Sequence, residues 1–570
     1  MGEVILKKII LSSVLVIVAS VTAFGQSRCL TPEFEQDRLA LYNAYGGPHN
    51  IGARQTDISS DIATHVVGDT VRFWSWDLTI QPPVWERVLA TCRAVTPNSY
   101  IFVTNDQWNV HMDSADVALA AYYWEQGTYI DSTAGIYQLD TDAFGQPPDE
   151  LDNDPHIYIL YDALGSYNGV IFDGYFSVFN EYTEEQANGM GGHSNECEMF
   201  YMSCYPNDPV GPIRISVLAH EFEHMIHWAH DPDEATWVDE GCAEYAMVLF
   251  GVPDPIVDFP NQPDNNLTLW SNAFADYVQT LLFFTYIADH FGGSATLNAI
   301  VSEPQNSIDG IEMALTNRGY DILFSDLYVD WSMANFYHGA GGADLPNPDS
   351  MYIYYSLDPP AFRTIDNINQ YPAGPFNRTV AHWATDYIRF NNSDSAYYDL
   401  IPYFSGATTT EWGLALLSIS TVIGAERVLP ESGIWQDTIS DFQNSTSVVM
   451  AVSGISSSGS TNYTYRADAL TGVNENVPIA DGFGLSLYPN PTNQNFLINY
   501  SKQSGQPASI EIYDIQGKLI NVLSVGTESY SGEIIWNGKN FDSRSVASGT
   551  YFFRLHTIDN SKVVKGIMLK

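Results

Sequence analysis

The stretch His220-Glu221-Phe222-Glu223-His224-Met225-Ile226-His227-Trp228 constrains this chain more than any other. It lies in an apolar run where Ile213, Val217, Leu218, Phe222, Met225 and Ile226 recur at helical spacings, the mark of a largely buried helix. On such a helix His220 and His224 project from one face, one turn apart. Buried ionisable groups are costly unless paired or metal-bound. Two imidazoles so placed can hold one divalent cation, Zn2+ above all, and Glu221 stands beside them to polarise a water. A second helix is expected over Trp237 to Ala246, where Glu240 and Glu244 share a face. Two histidines and a glutamate with an open fourth position form a standard catalytic zinc set, and the remaining glutamate would orient a ligand histidine. Their shared face leaves either glutamate open as the ligand.

With Trp237-Val238-Asp239-Glu240-Gly241 following His-Glu-x-x-His, the chain resembles the gluzincin metallopeptidases. The Glu-Gly-x-x-Glu pattern, Gly174-Tyr175-Phe176 and Ser194-Asn195-Glu196-Cys197-Glu198-Met199 resemble the hyicolysin-like branch. The resemblance spans about 70–345 and is strongest at 194–245. It implies an α+β zincin-like domain, Zn2+ held by His220, His224 and Glu240, Glu221 as general base, and Glu244 orienting a histidine. The gap from His224 to Glu240 is shorter than the aminopeptidase branch usually has, and Glu244 falls nearer the thermolysin-like gap. The implied activity is hydrolysis of protein or peptide substrates, as an endopeptidase, since no motif for anchoring a chain terminus is evident. The reading from another class is a catalytically inactive surface adhesin or glycan-binding protein with a metallopeptidase-like domain. The intact His220, Glu221, His224 and Glu240 count against it. Gluzincins commonly use a Tyr or His on the oxyanion, which makes Tyr277, on a helix expected over Ala275 to Phe291, a candidate. His227 is a candidate substrate-side donor.

The chain ends carry addresses. Lys7 and Lys8, the apolar run Ile9 to Val21 and Ala23-Phe24-Gly25 read as a secretory signal over 1–25, with a mature start near Gln26. The run is too short for a stable anchor, and no later segment is a transmembrane candidate. Near the C-terminus, Leu485-Ser486-Leu487-Tyr488-Pro489-Asn490-Pro491, Gly549-Thr550-Tyr551 and a closing lysine-bearing strand resemble the type IX secretion C-terminal sorting domain. That implies the type IX machinery as partner, passage through the periplasm, and release or attachment at the outer-membrane surface. Charge marks the same boundary. Residues 476–570 hold eight Lys and Arg against seven Asp and Glu, whereas 26–475 hold thirteen basic residues, all arginine, against sixty acidic ones. That excess excludes ordinary nucleic-acid binding and suits saline surroundings, calcium or a basic substrate. Asp149, Asp152, Asn153 and Asp154 cluster oxygen donors of the kind Ca2+ takes, without the EF-hand offsets.

The expected organisation is multidomain. After the signal come an N-terminal α/β layer of the catalytic unit (26–105), with strands around 71–76 and 100–103 and a helix from Pro83 to Cys92, and the zinc metallopeptidase domain (106–345). A β-sandwich (346–470), a linker (471–484) and a small Ig-like β-sandwich (485–570) follow. Export permits disulfides. The expectation is two bridges, Cys29 with Cys92 and Cys197 with Cys204, leaving Cys242 free, although connectivity stays open.

Overall fold

The computed structural model describes residues 27–48, 64–80, 82–149, 151–167, 170–392, 395–420, 423–428, 430, 433–455, 459–471, 484–502, 507–525, 531–557 and 561–569. The expected signal and the 471–484 linker, its end residues apart, lie outside them. The chain divides into two compact units, residues 1–471 and 472–570.

An eight-stranded mixed sheet organises the first unit: β1 (Ser27–Cys29), β2 (Thr70–Asp77), β3 (Val84–Val95), β4 (Ser99–Thr104), β5 (Ile157–Asp162), β6 (Ser166–Tyr167), β7 (Val170–Phe176) and β8 (Met199–Ser203). The order is β1-β7-β8-β5-β4-β3-β2, with β6 added on β7. β1 runs parallel to β7, and β5 runs parallel to both β4 and β8. β4, β5 and β8 are buried at every residue, which is why they read as continuous apolar runs rather than alternating ones. The 26–105 layer and the 106–345 region thus share one sheet.

Pro83 to Cys92 is not the expected helix; Val84–Val95 is β3. Val84, Val88 and Cys92 fit a helical stripe, but Val88, Ala90 and Cys92 fit an alternating one equally well. Ladders on both edges decide, to β2 from Thr70↔Thr91 to Asp77↔Val84 and to β4 from Ala90↔Thr104 to Val95↔Tyr100. Non-local pairing here overrides local pattern.

The helices are α1 (Glu35–Tyr45), α2 (Ser114–Glu125), α3 (Ile136–Ala143), α4 (Glu184–Gly189), α5 (Pro212–His230), α6 (Thr236–Phe250), α7 (Phe274–His290), α8 (Ser294–Val301), α9 (Ser307–Asn317) and α10 (Phe324–Gly339). α5 begins on Pro212, whose missing N–H costs nothing in a first turn. It is buried from Ile215 to Trp228, a core helix covered all round, packed against β7, β8 and α6. α6 ends at Gly251, whose φ of +96° is the left-handed cap that glycine adopts without a Cβ clash. Gly241 lets α6 approach α7, since a Cβ there would lie 2.2 Å from the Phe284 ring. Among the described residues no helix is long and apolar enough to cross a membrane.

Two sheets follow, built from β9 (Asp366–Ile368), β10 (Ala373–Ala381), β11 (Ala384–Asn391), β12 (Tyr397–Gly406), β13 (Trp412–Ile419), β14 (Ile423–Val428), β15 (Ile434–Gln436), β16 (Ser447–Gly454) and β17 (Ser460–Thr471). Their orders are β10-β17-β12-β15 and β14-β13-β16-β11-β9. Leu414, Leu416, Met450 and Val452 line the core between the sheets. The alternate residues Ala415, Leu417, Val449 and Ala451 join the core of the preceding body, where α10 packs on β13, β14 and β16. β16 is therefore buried on both faces. Arg427 on β14 clamps the junction, donating to Asp330 through Nε at 2.6 Å and to Asp326 through Nη1 at 2.7 Å.

The second unit holds β18 (Gly484–Tyr488), β19 (Phe496–Ser501), β20 (Ala508–Asp514), β21 (Leu519–Val525), β22 (Ser531–Trp536), β23 (Gly549–His556) and β24 (Ser561–Met568). They form sheets ordered β18-β19-β22 and β21-β20-β23-β24 around Phe496, Ile498, Ile512, Trp536 and Phe553. Asn490 of the Tyr-Pro-Asn-Pro motif ties down the closing strand: its Nδ2 donates to the Lys565 carbonyl at 2.9 Å, and its Oδ1 accepts from Ile567 N at 2.8 Å.

Candidate metal centre

α5 and α6 bring the sequence-singled residues together. His220 Nε2 and His224 Nε2 are 3.2 Å apart, with their rings nearly perpendicular at 84°. Glu240, from α6, sets one carboxylate oxygen 3.4 Å from His220 Nε2 and the other 3.5 Å from His224 Nε2. Glu244, one turn on, reaches the far nitrogen of His220, Nδ1, at 3.5 Å. Glu221 is fully buried beside them. It has room because Gly174 on β7 lacks a Cβ, which would lie 3.0 Å from Glu221 Cγ and 2.9 Å from the Tyr201 carbonyl.

Two participants were not visible in the sequence. Asp239 Oδ1 lies 2.8 Å from His224 Nδ1, fixing which nitrogen of that ring faces the cluster. Cys29 completes a four-donor group with His220, His224 and Glu240, all ligand atoms within 4.8 Å of one another. Its Sγ is 3.6 Å from His224 Nε2 and 3.5 Å from Glu221 Oε2. These four donors could hold one cation. No local pattern hints at Cys29, which reaches the site from 195 residues away in the chain. Asp239 sits inside the Trp-x-x-Glu-Gly motif and could have been sought as a carboxylate adjoining the ligand helix.

The electrostatics favour a single positive charge here, on His224 rather than His220. Burial works against a charged His224, but Asp239 and Glu240 outweigh it and push the ring up to about 10. Burial, then repulsion from His224, holds His220 down to about 3. Burial also opposes ionisation of Asp239, yet His224, His227 and Arg38 keep its carboxyl well below the usual range. Burial, then Asp254 and Glu240, pushes Glu244 well above it.

Tyr277 does reach the site: its hydroxyl donates to the Cys29 carbonyl at 3.3 Å and shares a cleft with Cys29, His220 and Glu244. His227 is buried, with Nδ1 3.2 Å from Glu223 Oε1 and 3.6 Å from Asp239 Oδ1; it belongs to the network behind the cluster rather than to a substrate side. Cys242 falls with Glu223 and His227 in that same layer. Of the candidate calcium residues, Asp149 and Asp152 meet Glu198, their ligand oxygens within 4.8 Å of one another. Asp154 is engaged elsewhere, accepting from the Tyr100 hydroxyl at 2.7 Å and lying 2.5 Å from His156 Nδ1.

The expected disulfides do not form; all five cysteines are free and buried. Cys29 on β1 and Cys92 on β3 are five strand positions apart, about 24 Å at ordinary strand spacing, against a reach of about 7 Å for a bridge. Cys197 and Cys204 lie off opposite ends of β8, whose five residues alone extend about 13 Å.

Residues 486–570 match the model of a secretion system C-terminal sorting domain, which directs the chain out of the cell or to the outer-membrane surface through the type IX machinery. Neutral metalloprotease ShpI of Staphylococcus hyicus is 26% identical over 211 residues, covering 32% of this chain and 45% of that protein. The chain thus spans under half the length of that curated relative, a distant likeness to a metalloprotease. Among solved structures, PorZ, a surface component of the type IX system of Porphyromonas gingivalis, is 23% identical over 19% of this chain and 14% of its own, with a TM-score of 0.13. Dimeric latent PorU from the same organism is 16% identical over 36% and 19%, with a TM-score of 0.15. Scores this low carry no argument.

Proposed function

We propose that the first unit carries a secreted or surface-attached zinc metalloendopeptidase of gluzincin type, in the hyicolysin-like branch. His220, His224 and Glu240 are the Zn2+ ligands, Glu221 is the general base, and Asp239 and Glu244 hold His224 and His220 in place. The spacing of the donors carries this reading. Tetrahedral Zn2+ with bonds of about 2.0–2.1 Å separates its donors by about 3.3–3.4 Å; the two Nε2 atoms lie 3.2 Å apart, and the Glu240 carboxylate straddles them, one oxygen 3.4 Å from His220 Nε2 and the other 3.5 Å from His224 Nε2. The distant metalloprotease relative supports the same reading.

Bound there, Zn2+ would polarise a peptide carbonyl and acidify a water. Glu221 takes the proton of the attacking water and returns it to the leaving amine. Burial pushes the Glu221 carboxyl above its ordinary value, as suits a base, while the neighbouring His220 and His224 pull the other way. Tyr277, whose hydroxyl already engages a backbone carbonyl in this cleft, donates to the oxygen on which charge develops. The test is metal analysis of the purified protein together with chelator-sensitive cleavage of casein. Glu221→Gln is expected to fold and keep zinc while losing about 10²- to 10⁴-fold in turnover. Near wild-type turnover in that variant would overturn the mechanism.

A further inference from the structure

The segment Cys29 to Thr31 touches three parts of the proposed centre: His224, Glu221 and Tyr277. Cys29 Sγ is the fourth donor grouped with His220, His224 and Glu240, all ligand atoms within 4.8 Å of one another. A thiolate on tetrahedral Zn2+, with Zn–S near about 2.3 Å and Zn–N near about 2.05 Å, lies about 3.6 Å from a neighbouring nitrogen, and Cys29 Sγ lies 3.6 Å from His224 Nε2. Thr31 Oγ1 donates to Glu221 Oε2 at 3.1 Å while accepting from Phe176 N at 2.9 Å, so the general base is engaged. The Cys29 carbonyl takes the Tyr277 hydroxyl, the donor meant for a scissile carbonyl.

The backbone holds this arrangement. β1 pairs in parallel with β7 through Ser27↔Ile171, Arg28↔Phe172 and Cys29↔Gly174, with a register shift between Arg28 and Cys29; Leu30 N then donates to the Gly174 carbonyl at 3.1 Å. A register shift of this kind re-aims a side chain, here toward the cluster. Cys29 and Leu30 are buried. A packed core cysteine needs neither a donor-matched distance to a histidine nor a carbonyl seated on the catalytic tyrosine.

We propose that Cys29 is a fourth ligand supplied by the chain's own N-terminal strand, closing the metal centre so that the exported protein is latent until this strand is withdrawn or trimmed. Catalytic zinc sites keep one position open, whereas closed sites are structural; a set of one cysteine, two histidines and one glutamate is closed. On binding the cation the thiol gives up its proton, for which Glu221 Oε2 at 3.5 Å is a ready acceptor. With the cation bound, withdrawal of β1 would remove the Cys29 thiolate, which would take up a proton from solvent, and would leave the fourth position to water. With the mature start expected near Gln26, proteolytic trimming of only a few residues removes the latch.

This rests on the metallopeptidase reading, and the experiment separates the two. The full-length secreted protein is loaded with Co2+, whose bond to a thiolate gives a near-ultraviolet charge-transfer band that nitrogen and oxygen ligands do not. Wild type is expected to show the band and to resist alkylation at Cys29 until a chelator is added. Cys29→Ser should bind one Co2+ without the band. Loaded with zinc, it should cleave casein on the order of tenfold faster or more, as when the open form is a minor state of the wild type. Stoichiometric Co2+ with no band in wild type, or equal casein turnover by the two proteins, overturns the latch and leaves the peptidase reading standing. Failure of either protein to bind metal overturns both. Should Cys29→Ser not fold, the band and the chelator-dependent alkylation of the wild type decide alone.

Discussion

Replacing Asp239 by asparagine is expected to weaken zinc binding without abolishing it. Asp239 makes a 2.8 Å contact with His224 Nδ1 and is shielded from solvent. Its charge both fixes the ring and raises the basicity of the nitrogen that faces the cluster. Losing such a supporting partner costs about ten- to a hundredfold in metal affinity, or about 1.4–2.8 kcal/mol. Asparagine can still accept a hydrogen bond, so the lower part of that range is expected. Glu244 lies 3.5 Å from His220 Nδ1, beyond good hydrogen-bond geometry, so Glu244→Ala should cost less. Glu240→Ala, which takes away a proposed ligand, should lose stoichiometric zinc. Competition against a chromophoric chelator, on proteins shown to be folded by circular dichroism, ranks the three. Asp239 also faces Arg38 at 4.0 Å, so the apo variant is expected to unfold more easily; denaturation without metal measures that separately. If Asp239→Asn bound zinc within about twofold of wild type, or if Glu244→Ala weakened binding more, the assignment of supporting roles would fail.

Gly174→Ala should retain metal but lose about ten- to a hundredfold in turnover, because its Cβ would press on Glu221 and displace the base; unchanged turnover would show that the close approach does not matter. Asp386, buried in β11 and accepting from the Tyr463 hydroxyl at 2.8 Å, is pushed by burial up to about 7 from 3.8. The native state then holds a proton that the unfolded state has released, so its contribution to stability is present at low pH and is lost as pH rises from about 4 to about 7, by at most about 1.4 kcal/mol per unit. Asp386→Asn should flatten that fall in denaturation curves taken across the window, and an unaltered slope would count against it. Deleting 486–570 should leave the protein in the periplasm, and its normal appearance outside the cell in fractionation would contradict the sorting role.

Local patterns were legible and remote ones were not. The α5 face reads directly from its apolar period, because His220, Glu221 and His224 are set by one turn of helix. Glu240 reads from its motif neighbours, and the C-terminal module from Asn490 and Tyr551, whose hydroxyl donates four residues back to the Ala547 carbonyl at 2.8 Å. β3 is ambiguous in the sequence because its apolar residues satisfy two periods and only its partners choose between them. Pairing Cys29 with Cys92 rests only on both lying in the N-terminal part of the chain, whereas the sheet order sends them to well-separated strands. The continuous burial of β16 follows from α10 lying across it, which no local window contains.

Among the described residues β1 sits at the margin of its sheet, against β7. Its departure bares backbone donors and acceptors around Phe172 to Gly174, directly beside the proposed centre. An open strand edge accepts any extended polypeptide. It would let a peptide be read by its main chain, with side chains alternating above and below, so that cleavage would depend on extended conformation more than on a single residue. The same edge invites two uncovered molecules to pair with each other. On that reading the strand would also guard the edge, and trimmed protein should self-associate at concentrations where intact protein stays monodisperse.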